Sequence, residues 1–134
     1  MKKIFLPVLL LLLSMNHAHA GDVVVIGHAN LGKLDVATVQ KIFTGKLVKV
    51  DGIDVTAVNV KSGPLREQFL QNFLQQTDAK YTAYWAIRLF VGKGTPPPEL
   101  SSPAEVVKFV ESTPGAIGYV DESDLVDSVH ILAR

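Results

Sequence analysis

The sequence predicts an α/β fold, a mixed and mostly parallel sheet flanked by helices, and three observations carry that expectation. Short apolar β-branched runs recur at DVVVI (22–26) and AIGYV (116–120), the pattern of strands buried on both faces. Stretches with apolar residues at helical spacing lie between them. Alternation of the two kinds of element places helices on the faces of a sheet.

The first 20 residues stand apart. Lys2 and Lys3 precede the apolar run Ile4 to Leu13, and Ala18-His19-Ala20 supplies a small-residue cleavage signal, together the pattern of a secretory signal peptide. The run is shorter than the roughly 20 residues of a spanning helix. Cleavage after Ala20 is therefore expected, leaving no membrane span and a periplasmic or secreted protein. Of the 134 residues, residues 21–134 remain, enough for one domain and too few for two. Lys and Arg total 13, as do Asp and Glu; loss of Lys2 and Lys3 shifts the balance to about −2, which argues against a nucleic-acid surface. The chain has no cysteine, so disulfides, thiolate chemistry, cysteine zinc sites and lipidation at cysteine are excluded.

Asp22 to Ile26 is the first strand. Asp35 to Phe43 places Val36, Val39, Ile42 and Phe43 on one helical face with Asp35 as the cap and Gly45 as the stop. Lys46 to Val50 and Ile53 to Val60 are β-rich arms around Asp51-Gly52, a strong hairpin signal because both central residues tolerate positive φ. Pro64 to Gln76 repeats Leu65, Phe69, Leu70, Phe73 and Leu74 at helical spacing, with Arg66, Glu67, Gln68, Gln71 and Gln75 expected in water. A helix from Thr77 or Asp78 carries Tyr81, Tyr84, Trp85 and Leu89 as one stripe and ends at Gly92. Lys93 to Leu100, with three prolines in a row, is an extended connector. Ser102-Pro103-Ala104-Glu105 has the cap, the first-turn proline and the glutamate of a helix start. That helix runs to about Ser112, and Pro114-Gly115 closes it. Ala116 to Val120 and Val129 to Leu132 complete the strands.

No catalytic set emerges. His28 and His130 are the only histidines after Ala20, neither has metal-ligand spacing, and no GxSxG elbow accompanies them. The phosphate loop GxxxxGK[ST] fails at Gly92-Lys93, where Ile87 and Gly94 break it, and at Gly45-Lys46, where Gln40 and Leu47 do. Asp121, Glu122, Asp124 and Asp127 lack the ligand order of a calcium loop. No enzyme, metal or cofactor is expected.

The stretch VKSGPLR (60–66) is the candidate site. Free amides at a helix N-terminus and the helix dipole favour an anion there. Ser62 offers a hydroxyl, Gly63 lets an anion approach the backbone, and Lys61 and Arg66 offer charge. A plain cap by Ser62, with Lys61 and Arg66 in water, accounts for the same residues.

KIFTGK (41–46), the DG turn, SGPLREQF (62–69), AYWAIRLFVGKGTPP (83–97) and TPGAIGYV (113–120), in this order, resemble the phosphate-binding proteins of ABC transporters, in the type 2 periplasmic-binding-protein superfamily. The resemblance spans roughly Val23 to Val120 and implies one lobe of a fold that ordinarily has two. It implies phosphate or a related oxyanion held weakly at Lys61, Ser62, Gly63 and Arg66, in an accessory to phosphate uptake or sensing. Pro64 stands where the family carries threonine, and Lys61 or Arg66 takes the part of its upstream arginine. The alternative function is a protein-protein interaction module that reuses the lobe without a small ligand. Residues around HANLGK (28–33) and KGTPPPEL (93–100) would then dock a partner, or a second copy that completes the cleft.

Overall fold

The computed structural model describes residues 21–134; the expected signal peptide lies outside the described residues. Strand β1, Val23–Gly27, is buried along its whole length, as its unbroken apolar run requires. Helix α1, Val36–Phe43, is capped by Asp35, whose side chain accepts from the Thr38 amide. It buries Val39, Ile42 and Phe43 and leaves Val36 exposed.

Strands β2, Lys49–Val50, and β3, Ile53–Asp54, form the expected hairpin around Asp51 and Gly52, both at positive φ. The second arm does not continue as hairpin to Val60. Its next residues, β4 at Thr56–Ala57, pair parallel with β7 at Ala116–Asp121, and β5 at Asn59–Val60 pairs parallel with β6 at Glu99–Leu100. The expected connector at 93–100 thus ends in a strand. An arm of β-rich residues satisfies its backbone equally well on any edge, so pairing partners remote in sequence decide where it goes.

Helix α2, Pro64–Phe69, passes into a π turn over Leu70–Leu74 that stops at Gln75 in the left-handed conformation. The wider turn leaves Phe69, Leu70, Phe73 and Leu74 all buried. Helix α3, Asp78–Phe90, is capped by Thr77 and buries Tyr81 and Trp85; Leu89, expected on the same stripe, is exposed. Helix α4, Pro103–Ser112, starts as its sequence predicts, with the Glu105 amide donating to Ser102 Oγ and the Glu105 carboxylate accepting from the Ser101 amide. Strand β7, Ala116–Asp121, and strand β8, His130–Ala133, follow, separated by a 3-10 turn at Glu122–Asp124.

The main sheet has the order β4-β7-β1-β8. It is mixed and flanked by helices, but its balance differs from the mostly parallel one expected: β1 runs antiparallel to both β7 and β8, and only β4 with β7 is parallel. Runs buried on both faces look alike in either direction, so their sequence does not carry the sense of pairing. The core joins β1 and β7 to α1, α2 with its π turn, α3 and α4. At its centre Phe69 stacks on Tyr119 with ring centroids 3.8 Å apart, and Phe43 and Phe73 close around it at 4.7 and 5.4 Å.

Candidate functional site

The loop from β5 to α2 carries all four residues singled out in the sequence. Gly63 is the N-cap of α2, at φ 155° and ψ −176°, a region open essentially to glycine. No side chain caps the helix, so Ser62 is not the cap that one reading expected. The first-turn amides of Leu65 and Arg66 have no partner within the helix, as in any helix start. Lys61 is exposed, and its amide donates to the Leu100 carbonyl.

Arg66 departs furthest from expectation. It is 4% exposed rather than in water. Its Nε donates to Asp78 Oδ1 at 3.0 Å, while Nη1 donates to Glu99 Oε1 at 2.8 Å and to the Val60 carbonyl at 3.3 Å. The guanidinium lies 5.5 Å from the centre of the Tyr81 ring. A buried guanidinium needs such partners, because unpaired it would carry a desolvation cost of several kcal/mol. Helical periodicity could not show this, since α2 is short and Arg66 reaches sideways to the start of α3 and to β6.

Asp78 closes the cluster. Its Oδ2 accepts from Ser62 Oγ at 2.9 Å, and its Oδ1 accepts from Thr82 as well as from Arg66. Partial burial alone would raise its pKa, but the Ser62 hydroxyl, the Arg66 charge and the Thr82 hydroxyl outweigh it and hold the carboxyl below the usual aspartate range. Ser62 and Arg66, two donors expected to face an external oxyanion, thus already hold a carboxylate of the same chain. Lys61 and Arg66 are balanced in charge by Asp78 and Glu99, so the cluster has no excess positive charge.

The lowered pKa makes a prediction. The unfolded chain takes up the Asp78 proton at higher pH than the folded one, so the stability linked to this carboxylate is complete above about pH 4 and is lost as pH falls through its depressed value. Urea denaturation followed from neutral to acid pH is expected to show a smaller acid loss in Asp78→Asn than in the unaltered protein. Parallel acid profiles for the two proteins would contradict this.

Beneath the cluster runs a buried polar relay. The Val60 amide donates to Tyr119 Oη, which donates to Asn59 Oδ1; Asn59 Nδ2 donates to Tyr81 Oη, which donates to the Phe43 carbonyl. Trp85 Nε1 donates to the same carbonyl. Burial pushes the phenols of Tyr81 and Tyr119 above the usual tyrosine range, so both remain neutral donors. The relay fixes β5, and with it the loop that carries Ser62, against α3 and the end of α1. The sequence signal for it was Asn59, a lone amide within an apolar β-rich run.

Above the relay opens a cavity of about 220 Å³, lined by Asn59, Arg66, Tyr81, Trp85, Leu89, Pro96, Pro97 and Glu99 among others. Neither described histidine lines it; both lie at the β1–β8 edge, where His130 pairs opposite Gly27, the neighbour of His28. His28 Nδ1 lies 2.8 Å from Asn30 Oδ1, and His130 Nδ1 lies 3.0 Å from the Leu31 carbonyl. Among the described residues no helix is long and apolar enough to cross a membrane.

No family model and no curated protein matches the chain. Solved structures do match in fold. A protein described as a phosphate ABC transporter substrate-binding protein of Clostridium perfringens, with bound phosphate, is similar with TM-score 0.65 and 18% identity over 83% of this chain and 44% of that one. PstS from Borrelia burgdorferi is similar with TM-score 0.62 and 16% identity over 84% of this chain and 46% of that one. An ABC-type phosphate transport receptor from Vibrio cholerae is similar with TM-score 0.56 and 12% identity, over 83% of this chain and 45% of that one. The fold is that of one periplasmic-binding-protein-like lobe, and the chain spans less than half the length of each of these proteins.

Proposed function

We propose that the chain is an exported, periplasmic, solute-binding-like lobe that takes phosphate or a related small oxyanion where β5 passes into α2, as an accessory to phosphate uptake or sensing. The observation that carries the reading is the Ser62-Gly63 junction at a helix start, in a lobe whose fold is shared by a protein solved with bound phosphate. Ser62 supplies a hydroxyl, Gly63 and the first-turn amides supply backbone donors, and Lys61 and Arg66 supply charge. A ligand must take Ser62 and Arg66 over from Asp78, and one lobe leaves the far side of the anion in water. Both effects make the binding weak.

Asp78 therefore sets the test. Phosphate at low ionic strength is expected to raise the melting temperature by mass action, by about 2.7 kcal/mol of stability at a hundred times Kd. Asp78→Asn removes the competing charge and is expected to lower the phosphate concentration that gives the same rise by about tenfold. Ser62→Ala is expected to abolish the rise. No rise with phosphate or sulfate, in either the unaltered protein or Asp78→Asn, rejects the reading.

A second reading, the lobe as a protein-docking module, is favoured by a different observation. The end of α3 exposes Ile87, Phe90 and Val91 at i, i+3, i+4 spacing on one face, and apolar patches of this kind mark interaction surfaces.

A further inference from the structure

We infer that the cavity beside α3 is a binding site for a small uncharged carboxamide carried on an apolar ring, distinct from the helix entrance at Ser62 and Gly63. Its walls are apolar: Trp85, Ala86, Leu89, Pro96 and Pro97 line it, the composition of a small-molecule pocket. Leu89 stays 52% exposed there, so a ring that covers it gains burial that the chain itself does not supply. An apolar cavity of about 150 Å³ holds benzene. At 220 Å³ this one has room for about nine non-hydrogen atoms, a six-membered ring bearing one carboxamide group.

Most polar side chains of the lining are engaged within the chain. Asn59 bonds Tyr119 and Tyr81 through its two amide atoms, Tyr81 Oη donates to the Phe43 carbonyl, and Thr82 Oγ1 donates to Asp78 Oδ1. Two side-chain atoms are left over. Arg66, its side chain 5% exposed, spends Nε and Nη1 on Asp78, Glu99 and the Val60 carbonyl, and its Nη2 has no partner among the described residues. The unpartnered side-chain atoms sealed from solvent among the described residues are Gln76 Oε1 and Arg88 Nε. Arg66 Nη2 is therefore reached from outside, and the cavity is an opening that Arg66 lines. Glu99 accepts from Arg66 through Oε1, and its Oε2 has no partner among the described residues.

One donor and one acceptor on touching groups match a carboxamide, whose carbonyl accepts from Nη2 and whose N–H donates to Oε2. A donor this buried gains from an acceptor that arrives with the ligand. Charge selects the same class. Arg66 stands against both Asp78 and Glu99, so the pocket end already leans negative and repels a carboxylate ligand where it accepts a neutral amide. Binding at Nη2 also leaves the Asp78 and Glu99 pairs in place, whereas phosphate at the helix entrance must displace Asp78.

The chain has one tryptophan, and Trp85 lines the cavity, so an isotope-labelled sample made from the full chain gives one indole N–H resonance that reports on the site. The titration is run in phosphate-free buffer, so its outcome and that of the phosphate melting test stand apart. Benzamide is expected to move the resonance saturably, with half of the shift reached at roughly 1–10 mM, ordinary for a ligand of this size. Benzoate, with the same ring and a negative charge, is expected to bind at least about tenfold more weakly. Ala86→Phe fills the cavity from an exposed position, and Leu89→Asp makes its wall polar. Each is expected to weaken benzamide at least about tenfold while the melting temperature stays unchanged. A shift that never saturates, benzoate binding as tightly as benzamide, or benzamide binding that both variants leave intact overturns the inference.

Discussion

Phe69→Ala is expected to lower the stability of the protein by about 3–5 kcal/mol, the range for truncating a fully buried phenylalanine. Phe69 has no exposed surface, and its ring stacks on Tyr119 while Phe43 and Phe73 pack around it. Those contacts join α2 and its π turn to β7 and to α1, three elements distant in sequence. Alanine would leave a cavity among rings that cannot collapse, because Tyr119 and Tyr81 are tied by the Asn59 relay. Urea denaturation should show a lower midpoint with an unchanged slope, the signature of altered stability rather than an altered unfolded state. Phe69→Leu fills much of the space and is expected to lose roughly half as much. A loss below about 1 kcal/mol for Phe69→Ala would show that the ring cluster is not the centre of the core.

Gly115→Ala is expected to cost a similar amount, about 3–5 kcal/mol, by a different mechanism. Gly115 has φ +78°, and a Cβ there would overlap the carbonyl oxygen of Asp54. Its amide donates to Asn30 Oδ1 and its carbonyl accepts from the Thr56 amide. One residue therefore anchors the HANLGK loop, the end of the β2-β3 hairpin and the start of β7. Alanine must push the hairpin backbone away and weaken both bonds, in addition to the left-handed conformation that costs a residue with a Cβ about 1–2 kcal/mol. Gly52→Ala is the control: φ is +77° there, but nothing lies within 4 Å of the added carbon. It should show the conformational cost alone, and equal losses at the two positions would refute the steric account. Loss of the Thr56 to Gly115 bond should also speed amide exchange along β4 in Gly115→Ala.

Much of the fold was legible because local signals agree with the tertiary result. The Asp35, Thr77 and Ser102 helix starts, the Asp51-Gly52 turn and the apolar runs of β1 and β7 each have a cause within a few residues. Where reading failed, the deciding partner was remote. The arm after Asp54 left its hairpin because its amides reach Gly115, Ile117, Pro98 and Leu100. Leu89, on the expected stripe beside Tyr81 and Trp85, is exposed because no described residue covers it at the end of α3. The expected site residues were placed together by the loop, yet their electrostatic state was hidden: Asp78 is 12 residues from Arg66 and Glu99 is 33 away, spacings that carry no motif.

What the sequence by itself determined is the local grammar of this protein: where helices start and stop, which runs are buried, and that Ser62 and Gly63 stand at a helix entrance. Capping, turn geometry and apolar periodicity act over a few residues and are written in them. Only the tertiary structure decided the sense of the sheet, the burial of Arg66 and the occupation of its donors by Asp78 and Glu99. Those outcomes depend on which distant groups meet, because a buried charge adopts the nearest compensating partner that folding supplies, whatever its distance along the chain.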